Sequence, residues 1–487
     1  MTATAPVFSG ARLRTDLLIG DSWSPASDGS RFEVTDPSTG KVIASVASAS
    51  VDDARRAVEV ADRARHEWSR TSPRERSDVL RAAFELVIGH GEELARLVSL
   101  ENGKAMADAR AEVTYAAEFF RWYSEEAVRV LGTVQTAPAG TNRILVLREP
   151  IGVALLVTPW NFPAAMATRK IGPALAAGCS VVLKPASETP LTALAIGALL
   201  QEAGVPHGVV NVLPSRRSGA VVSAMLDSTP VRKLSFTGST EVGRTLLRGA
   251  ADRVVSCSME LGGNAPFLVL ADADLDAAVA GAMIAKMRNG GEACTAANRF
   301  YVHESVADEF ATRLAEAMSQ LRAGPGTDES TRLGPLINQE AVATVDRLVT
   351  DAVDRGAIVR TGGHALVRPG WYYAPTVLDA VPDGASILRE EIFGPVAPIV
   401  RFTDLDAAIR AANDTEYGLV SYVYTRDLAA GMRVAEDLQA GMIGLNRGVV
   451  SDPAAPFGGV KQSGLGREGG HEGLLEYTED KYIATAW

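Results

Sequence analysis

Three cysteines in 487 residues, Cys179, Cys257 and Cys294, cannot build a disulfide framework, and the odd count leaves at least one thiol without a partner in the chain. A reducing compartment is the expectation. Histidine is scarce as well. The six residues His66, His90, His207, His303, His364 and His471 lie scattered without ligand-like spacing, and no C-x-x-C pair occurs, so no metal site is expected. Basic residues fall short of acidic ones, 48 against 59, and the net charge of −11 has the wrong sign for neutralising phosphates. Nucleic acid is therefore not an expected partner. Long hydrophobic runs are also missing: the longest uncharged stretch, Pro150–Thr168, is interrupted by Pro159, Asn161 and Pro163. That excludes a membrane-spanning helix and leaves a core strand followed by a loop. Arg12, Arg14 and Asp16 precede any apolar run and no small-residue cleavage site follows one, so no secretory signal is expected and the cytoplasm is the expected location.

What is present is an ordinary globular composition, 47% hydrophobic and 22% charged. At ~150 residues per domain the length corresponds to about three compact units. Helical periodicity marks Val51–Trp68 and Pro73–Arg129, with breaks at Gly89 and Gly103. The rhythm then changes. Short β-branched runs (Val153–Val157, Ser180–Leu183, Val209–Leu213, Val231–Phe236) alternate with helical stretches (Ala164–Ala177, Thr189–Ala203, Ser218–Asp227, Thr240–Ala251), which predicts βαβ units and a parallel sheet. From Ala265 a second series follows, including Phe267–Leu270, Leu275–Arg288, Arg299–Val302, Ala307–Arg322, Val396–Phe402, Leu419–Thr425 and Met442–Leu445. Gly132–Gly140 and Glu476–Trp487 belong to neither series and read as extended arms, for which subunit contact is a natural use.

A literal G-x-G-x-x-G stands at Gly464, Gly466 and Gly469, but it follows the polar Lys461–Ser463 rather than a strand, so it does not qualify as a dinucleotide turn. A better candidate is Phe236-Thr237-Gly238-Ser239-Thr240, which follows a strand and opens a helix whose N-terminus can face a phosphate or ribose. Taken alone, it reads equally as an ordinary capped turn.

Read together, T-P-W-N-F-P at Thr158–Pro163, L-K-P-A-S-E at Leu183–Glu188, F-T-G-S-T at Phe236–Thr240, E-L-G-G-N-A-P at Glu260–Pro266, G-G-E-A-C at Gly290–Cys294, E-E-I-F-G-P-V at Glu390–Val396 and P-F-G-G-V-K-Q-S-G-L-G-R-E at Pro456–Glu468 resemble the aldehyde dehydrogenase superfamily in order and spacing. The resemblance covers nearly the whole chain. It implies an α/β fold: a Rossmann-like cofactor-binding domain from residues 1–131 and 151–262, an α/β catalytic domain from 263–470, and oligomerisation arms from 132–150 and 471–487 in a homodimer or homotetramer.

The chemistry such a family performs needs an aldehyde carbon made sp³ before a hydride can leave, and a thiolate does this well. Cys179 and Cys257 stand in apolar or strand-like context and read as packing residues. Cys294 follows two glycines that permit close backbone approach; by itself it reads equally as a structural thiol, and the resemblance implies the nucleophile. The resemblance also implies Asn161 as oxyanion donor and Glu260 as the base that activates water against the thioester. Trp160, Lys184, Ser187, Gly238, Ser239, Glu391 and Phe393 match cofactor-contact positions. Where NAD-preferring relatives carry a glutamate two positions before Thr189, this chain has Ser187, which does not repel a 2′-phosphate, so NADP is expected with NAD possible. Arg216 and Arg217 add a second candidate contact for that phosphate, beside the reading of solvated loop arginines. Ala296 stands where some relatives have a second cysteine.

Within the superfamily, Ala165–Cys179, Lys286–Asn289 and the stretch from Ser451 are similar to succinate-semialdehyde dehydrogenases. Arg169, Arg288 and Ser451 then become the groups expected to bind a distal carboxylate. Asp452 beside them leaves glutarate semialdehyde or an uncharged aldehyde open. A CoA-acylating enzyme and a homologue without turnover are the competing readings; Glu260 argues against the first, and Cys294, Asn161 and Glu260 together against the second.

Overall fold

The computed structural model describes residues 13–486; Arg12 with the rest of the first twelve residues, and Trp487 at the end of the expected arm, lie outside the described residues. Among the described residues the chain forms sheets of eight, seven, three and two strands with helices packed against the larger ones. The fold is α/β.

The eight-stranded sheet runs Gly464–Leu465, Ser256–Glu260, Val231–Thr237, Val153–Val157, Ser180–Lys184, Val210–Val212, Leu17–Ile19, Ser22–Ser24. Its central five strands are parallel. Helices cover both faces, which is why Val153–Val157 and Ser180–Lys184 are buried along their whole length and read as unbroken apolar runs. Strand order reverses between Val153–Val157 and Val231–Thr237. In an open α/β sheet the crevice beyond the carboxyl ends of two such strands is where a ligand fits. The T-P-W-N-F-P and F-T-G-S-T segments leave those two ends.

The seven-stranded sheet, in the order Ile358–Thr361, Thr376–Asp379, Val396–Phe402, Ala297–His303, Ala265–Val269, Val420–Tyr424, Met442–Leu445, is parallel apart from its first pair. The two segments read as arms pair with each other: Thr478–Thr485 lies antiparallel to Arg143–Pro150, and Thr133–Thr136 adds a third strand. A fully buried Lys233 in the first sheet, paired with Glu476 at 2.8 Å, anchors the chain just before that last strand.

Helix ends follow local chemistry. Ser50 with Asp53, and Ser72 with Glu75, form capping boxes at Val51–Trp68 and Pro73–Gly89, and Gly103 in the left-handed region ends Gly91–Asn102. The structure departs from expectation at the N-terminal end. Four strands precede the first helix, and the three-residue Leu17–Ile19 extends the main sheet by pairing antiparallel with Val212. Such short strands offer too few residues for alternation to register. The helix expected at Ala307–Arg322 spans Glu304–Ser319, started by a cap from His303, and a further helix, Gln339–Asp354, stands where none is expected. Gly464 of the rejected glycine motif opens an edge strand antiparallel to Met259–Glu260. Among the described residues no helix is long and apolar enough to cross a membrane, and no cluster of His, Cys, Asp and Glu is arranged to hold a metal ion.

Candidate active site

Two adjoining cavities open at the strand-order reversal and share Pro159, Trp160, Thr237, Gly238 and Ser239. The outer one, about 400 Å³, is also lined by Lys184, Ser187, Glu188, Ser218 and Gly219. Lys184 is buried at the end of its strand, and its ammonium makes no hydrogen bond or ion pair within the described residues; burial holds it down to about 8, with Glu188 opposing. Ser187 Oγ donates to Glu188 Oε2 at 3.2 Å. Ser239 caps the helix Thr240–Ala251, accepting from the Val242 N–H at 3.4 Å. An unpaired buried cation beside a helix N-terminus fits an anionic dinucleotide. The loop arginines do not face it: Arg217 pairs with Asp28, and the Arg216 guanidinium lies 5.6 Å from the Phe32 ring.

The inner cavity, about 230 Å³, brings Asn161, Cys294, Glu391 and Phe393 together. Glu391 Oε1 accepts from the Gly263 N–H at 3.2 Å, and burial pushes its carboxyl up to about 7. Phe393 sits at φ 49°, a strained value for a bulky residue, with its ring edge-on to Trp160 at 5.5 Å. Cys294 is half-buried, and loss of water around the sulfur pushes the thiol up to about 12; Glu260 and Glu391 act the same way, Arg169 and Arg288 against it. Gly263 lets the segments meet, since a Cβ there would stand 2.5 Å from the Cys294 carbonyl oxygen. Asn161 Nδ2 donates to the Glu292 carbonyl at 3.0 Å, two residues before the thiol.

Glu260 is not in that wall. Its Oε1 lies against Gly458, neither oxygen has a hydrogen-bond partner, and burial followed by the neighbouring Glu468 pushes the carboxyl well above the usual range. The side chain does not line the inner cavity.

Beyond Asn161 a third cavity of about 540 Å³ is lined mainly by apolar side chains with Tyr115, Phe162, Arg288 and Ser451 among them. Arg288 donates to Ser451 Oγ at 3.5 Å and lies over the Phe162 ring at 4.8 Å, and no carboxylate of the described residues comes within ion-pair distance of it. Arg169 differs from expectation. Fully buried, it pairs through Nε with Glu468 at 2.5 Å, lies over Phe457 at 4.3 Å, and lines none of the three cavities. A guanidinium without water must be paired, and Glu468 meets that need. The expected two-arginine fork is, in this structure, one half-buried guanidinium with a serine, and a second, fully buried guanidinium beside Tyr115.

Sequence reasoning did not single out Lys104, Glu112 or Tyr115, which support or line these walls, because nothing local distinguishes them within helical stretches. Phe162 stood inside T-P-W-N-F-P and could have been found there.

A family model described as "Aldehyde dehydrogenase family" matches residues 23–483. The chain is 55% identical over 445 residues, 91% of its length and 99% of the relative's, to a succinate-semialdehyde dehydrogenase of Paenarthrobacter nicotinovorans. It is 48% identical to a glutarate-semialdehyde dehydrogenase of Pseudomonas putida, covering 96% and 97% of the two chains. Among solved structures, an NADP dependent enzyme of E. coli superposes with TM-score 0.96 at 47% identity, with 98% of each chain covered.

Because only the thiolate is nucleophilic, a thiol held near 12 reacts faster as pH rises without levelling off. Alkylation of Cys294 by iodoacetamide, followed by peptide mass mapping on the cofactor-free protein, is expected to accelerate about tenfold per pH unit from about pH 7 to 9. A plateau below pH 8 would contradict the buried-thiol account.

Proposed function

The chain belongs to the aldehyde dehydrogenase family, and on that premise we propose that it oxidises succinate semialdehyde to succinate with NADP, NAD being the alternative cofactor and glutarate semialdehyde the alternative substrate. It is an NAD(P)-dependent aldehyde oxidoreductase. Cys294 adds to the aldehyde carbon as thiolate, forming a thiohemiacetal whose oxyanion is held by the Asn161 amide. A nicotinamide cofactor bound here would accept the hydride; Glu391, Phe393 and Trp160 would hold its nicotinamide end and Lys184, Ser187, Gly238 and Ser239 the other. Glu260, as carboxylate, rotates toward the resulting thioester and takes a proton from water, whose oxygen adds to the acyl carbon while the Cys294 thiolate leaves. Arg288 and Ser451 bind the remote carboxylate, with Arg169 one layer behind. The observation that carries this reading is the combination: a thiol and an amide in one cavity, an ammonium without a hydrogen-bond or ion-pair partner on the adjoining one, and a guanidinium without a carboxylate partner on the cavity lined by Phe162.

The same reading extends to the whole molecule: residues 1–131 and 151–262 bind cofactor, 263–470 supply the nucleophile, and the sheet of Thr133–Thr136, Arg143–Pro150 and Thr478–Thr485 joins subunits in a cytoplasmic homodimer or homotetramer. Val134, Leu147, Tyr482 and Ile483 on that sheet are exposed, and an open strand edge with apolar side chains favours a second copy.

Absorbance at 340 nm tests the substrate. Arg288→Leu is expected to lower kcat/KM for succinate semialdehyde by roughly thirty- to a thousandfold and to leave butyraldehyde little changed; equal losses for both would remove the carboxylate site. Glu260→Gln should give a burst of reduced cofactor and then stall as thioester, and normal steady-state turnover would point to another base. Ser187→Glu should shift preference from NADP toward NAD by about thirtyfold, and a parent already preferring NAD would sink the cofactor assignment.

A further inference from the structure

Lys104 is a lysine with no exposed side-chain surface, far in sequence from every motif quoted above. Its ammonium contacts three groups: Glu112 Oε2 at 2.5 Å, the Asn161 carbonyl oxygen at 2.7 Å, and the Phe162 ring, 4.1 Å from its centroid. The other carboxyl oxygen of Glu112 accepts from the Ala164 N–H at 2.8 Å and the Ala165 N–H at 3.3 Å, capping the helix Pro163–Ala177, which lacks a side-chain cap of its own. The stretch Asn161–Ala165 is thus gripped at its start and end by one buried ion pair. Arg288 lies over the same Phe162 ring.

The turn that carries Lys104 is itself fixed from the second half of the chain. Ser99 Oγ donates to the Lys104 carbonyl at 2.8 Å, and a Cβ on Gly326 would stand 2.3 Å from that oxygen. Met106 N donates to the Gly326 carbonyl at 3.0 Å. Burying a lysine–glutamate pair is rarely a route to stability, since apolar side chains of similar volume serve as well or better. What the pair supplies is a fixed location for a backbone carbonyl and an aromatic ring, on either side of which stand the two side chains that act on substrate.

We propose that Lys104 is a positioning residue for the reaction at Cys294: through the Asn161 carbonyl it sets the oxyanion-binding amide, and through the Phe162 ring it sets the Arg288 guanidinium. The inference rests on the roles given to Asn161 and Arg288 above. Donors aimed at a developing charge lose on the order of a hundredfold in rate when misplaced by about 1 Å, so a loosened Asn161 backbone is read directly in the acylation step.

The experiment uses the full-length chain with Lys104→Met and Lys104→Arg, alone and combined with Asn161→Ala. Three quantities are read: the burst rate of NADPH formation with succinate semialdehyde and with butyraldehyde, the KM for each aldehyde, and the NADP dissociation constant from quenching of protein fluorescence without turnover. Lys104→Met is expected to slow the burst about ten- to a hundredfold with both aldehydes, to raise KM only for the carboxylated one, and to leave NADP binding unchanged. Lys104→Arg, which keeps the cation, recovers most of the rate. Asn161→Ala, costing about a hundredfold in the parent, costs less than about threefold on top of Lys104→Met, since the amide it removes is already misplaced. An unchanged burst in Lys104→Met, strict additivity with Asn161→Ala, or an equal loss of NADP binding overturns the proposal while leaving the oxyanion role of Asn161 standing. An Asn161→Ala variant with a full burst rate overturns that role, and the proposal with it. Where Lys104→Met does not fold, Glu112→Gln, which weakens the anchor and keeps the lysine, must show the same split between burst rate and NADP binding, and its absence counts against the proposal.

Discussion

Glu468, buried between Arg169 and Lys170, is the contact on which the site depends. The carboxylate comes from the glycine-rich C-terminal stretch, the two cations from the helix Pro163–Ala177, and Lys170 also donates to Ser235 on the central sheet at 2.9 Å. Three charges without water are tolerable only when paired, so this cluster locks the C-terminal stretch onto the helix and sheet. The backbone pairing of Phe457 with Glu468 follows, and with it the Phe457 ring over Arg169. A second consequence reaches Glu260. Burial first and the Glu468 carboxylate second raise its carboxyl, despite the opposing cations Arg169, Lys170 and Arg467.

The cations of the site divide by whether they are paired. Arg169, Lys170, Lys104 and Arg217 each have a carboxylate partner, and the work they do is structural or orienting. Lys184 and Arg288 have none, and each faces one of the two outer cavities. The thiol of Cys294, raised to about 12 by burial, lines the cavity that adjoins the one faced by Lys184. In the proposed reaction that arrangement would orient a cofactor and a carboxylated substrate toward each other without placing a fixed charge at the reacting carbon.

Much of the architecture was legible from pattern. The strands Val153–Val157, Val396–Phe402 and Met442–Leu445 and the helices Val51–Trp68 and Thr240–Ala251 have the boundaries that periodicity predicts, because fully buried parallel strands and capped helices leave strong local signals. Short antiparallel strands such as Leu17–Ile19 left none, since their place is decided by a neighbour some 190 residues away at Val212. Among side chains the quoted motifs marked Cys294, Asn161, Glu391 and Phe393, which meet in one wall, whereas Lys104 and Glu112 were invisible because their role lies in a contact across more than 50 residues.

The sequence by itself determined the α/β class, the chain segments that leave the strand ends, and the chemical types available there: one thiol in a glycine-rich turn, an amide, carboxylates and arginines. Residue type and spacing carry that information locally. Only the tertiary structure decided which charges remain free. Arg169 and Arg288 are indistinguishable as letters, yet one is neutralised by Glu468, 299 residues away, and the other is left open over Phe162. Burial likewise raised both the thiol of Cys294 and the carboxyl of Glu260 above their ordinary ranges. Desolvation and pairing depend on what surrounds a group in space, and no local stretch of sequence states what that will be.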